Sequence, residues 1–505
     1  VALARAAGRP VRLVLDRKEE FLLPDHRRER MVLELESGVT QDGTVLARRG
    51  RILVDNGAYS GAEPFFSQLA AMLAAGPYRL PSVHITSHCI YTNTQPSGAV
   101  RAPTGPAVTW AREQHIDEIA DRLAMDPLEF RLRNLMRDGD ESPTGQVFDE
   151  ISAIEVMNRA VTLIGYGEDL PENEAIGLSC GYWFSYAERS GAYVKIDPNG
   201  SPTIITGALE CGSGAVMALP KLASEILGID ESEFTIRNQD TDTGPWDAGA
   251  VGSQTTFNNG RAVSEAAQEV RERLLELAEE RLEAATWDLE LIDGVARVKG
   301  TRAPFVAIAD LAADAHAGGG ELLGRGAGKL AHTPEADVGL CLGRLGAESF
   351  TAPSFACHAA RVRVDPETGE VRVLQVVAVH DPGTVINPIG ARGQVTGGVA
   401  MGLGQVLTEA TRFAPDSLVQ NPNLVDYKLP TTADVPDISV DFYERPAADA
   451  GPKGSRGLGE PPVIPTPGAV ANAIARASGA RVRELPASPE RVWAAIRSRD
   501  EAVAR

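Results

Sequence analysis

The sequence predicts an α+β protein with two similar mixed α/β halves facing a shared cleft. Three observations lead there: hairpin patterns recur along the chain, a weak repeat relates two of them, and Gly-rich stretches join hairpins to helical patterns.

Val1 to Ala7 reads as the last turns of a helix ended by Gly8 and Pro10. A chain opening this way, without Met, is expected to be a fragment or one part of a split subunit. Residues 11 to 59 read as strands. Met31 to Ser37 alternates, Asp42-Gly43 turns, and Thr44 to Tyr59 returns. Gly76 to Pro81 leads to a strand ending at Tyr91-Thr92-Asn93. The Pro/Gly-dense segment Gln95 to Pro106 opens a helix over Ala107 to Met125, with Trp110, Ile116, Ile119 and Leu123 on its core face. Asp126 caps a second helix with Pro127 at its first position. Residues 138 to 150 form a polar linker, which places a boundary between 150 and 170.

Beyond the linker lies the repeat. Tyr193 to Gly200 returns into Thr203 to Leu209 and turns at Cys211 to Gly214. Arg361 to Gly369 returns into Val371 to His380 and turns at Asp381 to Gly383. Three Gly-rich turns precede helical patterns: Gly212-Ser213-Gly214 before Met217 to Leu227, Gly252 to Thr256 before Arg261 to Leu282, and Gly393 to Gly398 before Met401 to Leu407. Free N–H groups at a helix start favour anions, so three such turns predict a ligand with phosphates running across several elements.

At 505 residues the chain exceeds one small core, and two or three domains are expected. A net charge of −20 argues against nucleic acid or an anionic membrane as the main partner. With no apolar run near the roughly 20 residues that span a bilayer, and no signal peptide, a cytoplasmic location is expected. The cysteines (Cys89, Cys180, Cys211, Cys341 and Cys357) are scattered and odd in number, which excludes a disulfide framework or an iron–sulfur site within the chain. The histidines (among them His26, His84, His88, His115 and His380) form no HxxxH pattern, which argues against zinc or non-haem iron held by side chains.

The stretch Gly451-Pro452-Lys453-Gly454-Ser455-Arg456-Gly457-Leu458-Gly459-Glu460-Pro461-Pro462 draws these features together. Four glycines in nine residues permit close approach, and the two prolines stiffen the exit, so Glu460 is placed rather than merely solvated. A small-residue helix is expected behind it, over Val463 to Arg483.

This loop resembles the C-terminal signature of the molybdenum hydroxylases, the family of xanthine dehydrogenase, aldehyde oxidoreductase and aerobic carbon monoxide dehydrogenase large subunits. A second stretch resembles it as well: GPYRLP, YTN, P-x-GA-x-R-x-P and DEIADRLAMDPLEFRLRN, between residues 76 and 134. The resemblance implies two molybdopterin-binding halves: 1–150 as the remainder of a first domain, and 165–505 as a second domain with the loop at 451–460. It implies Glu460 as the catalytic base. It implies cofactor contacts from Arg101, Ala102, Gly212, Ser213, Gly252, Ser253, Gln254, Thr255, Gln394, Lys453, Gly457 and Gly459. No protein ligand to the metal is implied, because pterin sulfurs hold it.

The implied cofactor is molybdenum–molybdopterin cytosine dinucleotide. [2Fe-2S] and FAD centres are implied on partner subunits (an iron–sulfur small subunit and an FAD-binding medium subunit), together with the N-terminal portion of the large subunit. The implied reaction is hydroxylation, with water, of an aldehyde or N-heteroaromatic small molecule. Departures narrow this. Pro103 stands where purine oxidisers have an aromatic, and the loop lacks the cysteine of the copper-bearing branch. Ser213 replaces a common Gln, and Gln254 a common Arg. A carbon monoxide dehydrogenase-like or hydroxybenzoyl-coenzyme-A-reductase-like member, or a non-catalytic cofactor-binding subunit, stays open as an alternative.

Overall fold

A computed structural model describes residues 1–23, 27–59, 63–143, 145–186, 189–238, 240–328, 350–448 and 450–503. Cys341 and His26 lie outside them. The architecture is mixed α/β, and one unit recurs three times: an antiparallel hairpin followed, through a helix, by a strand parallel to the hairpin's second arm.

In the first unit β1 (Arg30–Val39) pairs with β2 (Val45–Gly57), and β3 (Ser82–Tyr91) lies parallel to β2. The Asp42-Gly43 turn forms as predicted, with Gly43 at φ 86°. In the second unit β5 (Gly191–Ile196) and β6 (Pro202–Thr206) form the hairpin, and β7 (Thr235–Arg237) runs parallel to β6. In the third, β12 (Phe350–Val364) and β13 (Val371–His380) form it, with β14 (Asp437–Phe442) parallel to β13.

The second and third units gain a further strand, antiparallel to the first arm. The strand β11 (Leu322–Ala327) joins β5, and β4 (Glu174–Tyr186) joins β12. The two four-stranded sheets, β11-β5-β6-β7 and β14-β13-β12-β4, thus share one topology. This is the repeat read from the hairpins at 193 and 361. A small antiparallel sheet is made by β8 (Leu289–Ile292), β9 (Val295–Val298) and β10 (Phe305–Ala307).

The connecting helices are α3 (Glu63–Ala75) and α7 (Leu219–Leu227), and, in the third unit, the helix at 388–407 introduced below. Near the chain start, α1 (Ala2–Ala7) ends at Gly8 in the left-handed region, φ 62°. Residues 11–16 carry no strand, and α2 (Arg17–Leu22) follows. The expected strand is thus corrected over 11–22: Asp16 and Glu19 close a capping box that nucleates a helix at Arg17–Leu22.

The helices α4 (Gly105–Arg122) and α5 (Pro127–Asn134) carry a buried polar cluster. Arg131 donates to Glu113 at 3.1 Å and Asp117 at 2.6 Å, Arg112 to Glu113 at 3.0 Å, and Tyr78 to the same carboxylate at 3.0 Å. Asn134 donates to Gly43 and accepts from Val45. Much of the DEIADRLAMDPLEFRLRN string is therefore scaffold. Its charges are buried because they satisfy one another.

The helix α6 (Ala153–Ile164) covers one face of β12 and β13, setting Val156, Met157 and Ala160 against Phe355, Cys357, Val377 and Val379. On the opposite face lies a helix of small residues, Thr466–Ser478, ended by Gly479 at φ 68°. It is shorter than the predicted 463–483. It fits because Gly177 and Gly468 leave room: a Cβ at Gly177 would strike Ala469 and Ala473 backbone. Covered on both faces, β4 is buried along almost its whole length. The long helix α8 (Gly260–Leu282) packs against β5 and β11. The helices α3 and α6 were not predicted.

One predicted turn is not a turn. Gly393 to Gly398 lies inside α10, which is helical throughout Pro388–Leu407 and capped by the Asn387 side chain on Gly390 N–H. α9 (Ile308–Ala317) precedes it in the chain; α11 is the Thr466–Ser478 helix and α12 is Pro489–Val503. Two glycines of α10, Gly398 and Gly402, serve packing. A Cβ on Gly398 would strike Pro462, and one on Gly402 would come within 2.7 Å of Thr466. Among the described residues, no helix is long and apolar enough to cross a membrane.

Candidate active site

The loop 451–460 is pinned from below by Arg456. Its guanidinium donates to Asp381 and Pro353 O, at 2.9 and 2.8 Å, and to Glu150 O at 2.7 Å. Asp381 takes a further hydrogen bond from Ser152. Both members of this ion pair are buried. Gly457 donates to Ser185 Oγ at 2.8 Å, and an added Cβ there would come within 2.6 Å of Ser253 Cβ. The loop needs glycine at 457 to lie this close to the residues before α8.

So anchored, the loop delivers Glu460 to a point where four segments meet. Its Oε1 accepts from the Ala102 N–H at 3.1 Å. Its Oε2 accepts from Trp183 Nε1 and Ser253 Oγ, both at 2.9 Å. The Glu460 N–H returns a bond to Ser253 Oγ at 3.0 Å. Desolvation in this setting pushes the Glu460 carboxyl above its ordinary value, against the opposing pull of Ser253, Ala102, Trp183 and Arg101.

Arg101 lies beside it. The guanidinium donates to Gly459 O at 2.6 Å and to Gln394 on α10, through the backbone O at 3.2 Å and Oε1 at 3.1 Å. Nη1 makes no hydrogen bond among the described residues. The peptide between Arg101 and Ala102 is itself held from behind. Arg28 donates to Arg101 O at 2.9 Å and to Ala102 O at 3.3 Å, while the same peptide's N–H points at Glu460. Glu29 accepts from Thr104 N–H. Ala102 and Thr104 are held at φ 55° and 63°, left-handed values that cost a non-glycine residue about 1–2 kcal/mol each. The clamp of Arg28 and Glu29 maintains them.

The predicted site residues thus separate. Arg101, Ala102, Ser253, Gln394, Gly459 and Glu460 converge, and Gly457 supports them. Ala102 and Ser253 face Glu460, giving them a role towards the carboxylate. Gln254 is buried and turned inward, with its amide between Gly249 O and the Asn258 side chain, at 3.0 and 2.9 Å. Lys453 points away to Glu225 on α7, at 2.9 Å. Gly252 packs on Tyr186, and Thr255 begins the buried turn into α8.

The donors of Gly212 and Gly214 were expected to be free. They bond the Glu210 carboxylate at 2.7 and 2.9 Å, and Val216 N–H joins them at 3.2 Å. Ser213 Oγ also reaches Glu210, at 3.4 Å. Trp183, Arg28 and Glu29 escaped the sequence reading.

An added Cβ at Gly212, Gly214, Gly249, Gly393 or Gly397 would meet nothing within 4 Å, so these positions face open space, while the N–H groups of Gly212 and Gly214 are taken by Glu210, that of Gly249 by Asp247, and Gly393 and Gly397 lie inside α10. Arg101 Nη1 is an available cationic donor beside it. Among the described residues, no group of three His, Cys, Asp or Glu could hold a metal ion by itself.

A molybdopterin cofactor-binding domain matches residues 1–135, and a second such domain matches residues 167–436. The chain is 30% identical over 515 aligned positions to the xanthine dehydrogenase molybdenum-binding subunit of Escherichia coli O157:H7, covering 97% of this chain and 65% of that one. It is 30% identical to the nicotine 6-hydroxylase large subunit of Paenarthrobacter nicotinovorans, over 96% of this chain and 61% of that one. Quinoline 2-oxidoreductase from Pseudomonas putida 86 superposes with a TM-score of 0.87 at 28% identity, over 98% of this chain and 65% of that structure. The chain therefore spans a little under two thirds of the length of these relatives.

Proposed function

Because this chain belongs to the molybdenum hydroxylase family, as part of its molybdopterin-binding large subunit, we propose that it forms the cofactor cleft and supplies the general base of an enzyme that hydroxylates an aldehyde or an N-heteroaromatic compound with water. The observation that carries this reading is the Glu460 carboxylate. It is held by three donors, raised in pKa by desolvation, and set beside Arg101 at the meeting of four segments. A base working near neutral pH benefits from that elevation.

When bound, the molybdenum cofactor would supply the two-electron oxidant, the acceptor for the hydrogen and bonding pair lost as the substrate C–H bond breaks. Arg101 and Gln394 would hold it from the α10 side, and the exposed connections at Gly212, Gly214 and Gly249, whose N–H groups bond Glu210 and Asp247, would take its phosphate-bearing arm. Glu210 already lies on the Gly212–Gly214 donors, which supports an anion-binding turn and means that a phosphate must displace it. Glu460 Oε1 would take the proton of the attacking water as the oxygen bonds to the electron-poor carbon. The cytidine dinucleotide form of the cofactor, [2Fe-2S] and FAD centres on partner subunits, and the rest of the large subunit complete the proposal. The matched domains at 1–135 and 167–436 support a division of the chain near 150–165.

The test is Glu460→Gln in the purified complex, with molybdenum content, released cytidine monophosphate and single-turnover reduction by substrate measured together. Metal and nucleotide should stay near wild type while reduction falls by roughly 10²–10⁴-fold. A metal-replete variant reduced at the wild-type rate would refute the base assignment.

A further inference from the structure

Trp183 sits on β4, and its neighbours explain its orientation. A Cβ on Gly105, at the start of α4, would come within 3.3 Å of the Trp183 ring and of Ile464 just beyond Glu460. The ring also stacks on Phe184 at 4.7 Å. The indole is 1% exposed and wedged between β4, the start of α4 and the exit of the 451–460 loop, so its N–H has one fixed direction. That direction ends on Glu460 Oε2. Ser253 Oγ binds the same oxygen from the opposite chain segment. Both bonds fall on Oε2, whereas Oε1 receives only the Ala102 N–H. A carboxylate oxygen has two lone pairs, so Oε1 keeps one open.

We propose that Trp183 is a positioning residue for Glu460: with Ser253 it commits Oε2 and leaves Oε1 as the oxygen that takes the proton. This rests on the reading of Glu460 as the base and adds which atom acts and what selects it. An indole N–H to Oε2 stabilises the ionised carboxylate, so Trp183 also limits how far desolvation raises the base. The other charged groups facing Glu460 are Arg101 from the loop before α4 and Arg28 from the segment before β1, the latter facing Glu409 and Tyr427 in turn. None of them touches Trp183 Nε1, so its contribution can be removed separately.

Trp183→Phe keeps a ring in the wedge and deletes the donor. In the cofactor-loaded complex, the acid limb of single-turnover reduction should move to higher pH by about one unit, the equivalent of one lost charge-assisted hydrogen bond. The rate on the alkaline plateau should fall far less than in Glu460→Gln. A packing role alone would lower metal content or the plateau and leave the limb in place.

A second measurement uses wild type and needs no Trp183 variant. The ultraviolet resonance Raman band that reports indole N–H hydrogen bonding should shift as pH crosses the acid limb, and this shift should be missing in Glu460→Gln. A Trp183→Phe complex with near-normal molybdenum and an unmoved limb would overturn the proposal, as would an indole shift that persists in Glu460→Gln. If Trp183→Phe loses its cofactor, the wild-type Raman result decides alone. An inactive Glu460→Gln beside an unmoved Trp183→Phe limb defeats this inference and spares the base; a fully active Glu460→Gln defeats the base itself.

Discussion

Arg456 and Asp381 show how much a single pair can carry here. The two are buried with 2.9 Å between them, and burial pushes the Asp381 carboxyl up while Arg456 draws it down. Arg456→Ala would leave a buried carboxylate facing a vacated guanidinium site. Removing one member of a buried pair costs about 3–5 kcal/mol. We expect the thermal midpoint to fall, and reduction by substrate to slow further than the lost stability explains, because the same guanidinium fixes the approach to Glu460. Glu460 makes the complementary case for pH. Its pKa is raised, so activity that needs the ionised form should fall with decreasing pH through a limb lying above the usual glutamate range. A limb at or below the ordinary glutamate value would contradict the enclosed geometry.

Among the elements, α10 offers the clearest contrast. Gly398 faces Pro462 with no room for a methyl, whereas Gly393, on the same helix, faces open space. Gly398→Ala should push the Glu460–Pro462 segment outward and destabilise by about 1–3 kcal/mol, with a large loss of substrate reduction. Gly393→Ala should instead raise the thermal midpoint, because alanine in a helix interior is worth roughly 0.5–1 kcal/mol over glycine. Comparative unfolding of the two variants checks both. The same helix shows where sequence reading failed. Glycine density at 393–398 suggested a turn, but the segment is helical, with Gly398 closely packed and Gly393 and Gly397 open, and nothing local distinguishes these uses from a turn. Alternation made β1 and β2 legible, and Asp126-Pro127 made α5 legible. By contrast β4 is buried on both faces, so it has no alternation to read, and Trp183 went unseen with it.

Across the full fold, the polar cluster of Arg112, Glu113, Asp117 and Arg131 joins α4 and α5 to the four-stranded sheet, since Arg131 and Arg112 also donate to Leu178 O and Cys180 O on β4. Arg131→Met would leave Asp117 buried without its partner. We expect a loss of roughly 3–5 kcal/mol in denaturant unfolding, with cofactor content falling in parallel because α4 carries the Arg101 loop at its start. The spacing of the loop glycines and the two prolines marked Glu460 as a placed carboxylate, and the family resemblance singled it out as a candidate base. The clamp from Arg28 and Glu29 was not, because it depends on two segments about seventy positions apart that touch only after folding.

The pairing of Arg101 with Gly459 spans 358 positions, and those of Glu460 with Trp183 and Ser253 span 277 and 207. During synthesis at about 5–20 residues per second, Arg101 emerges some tens of seconds before its partner. For that interval the Arg101 guanidinium lacks its Gly459 acceptor and the Ala102 N–H lacks the Glu460 carboxylate. The contacts of Glu460 with Ala102, Trp183 and Ser253 thus form only after residue 460 is made, the last of the four segments to leave the ribosome.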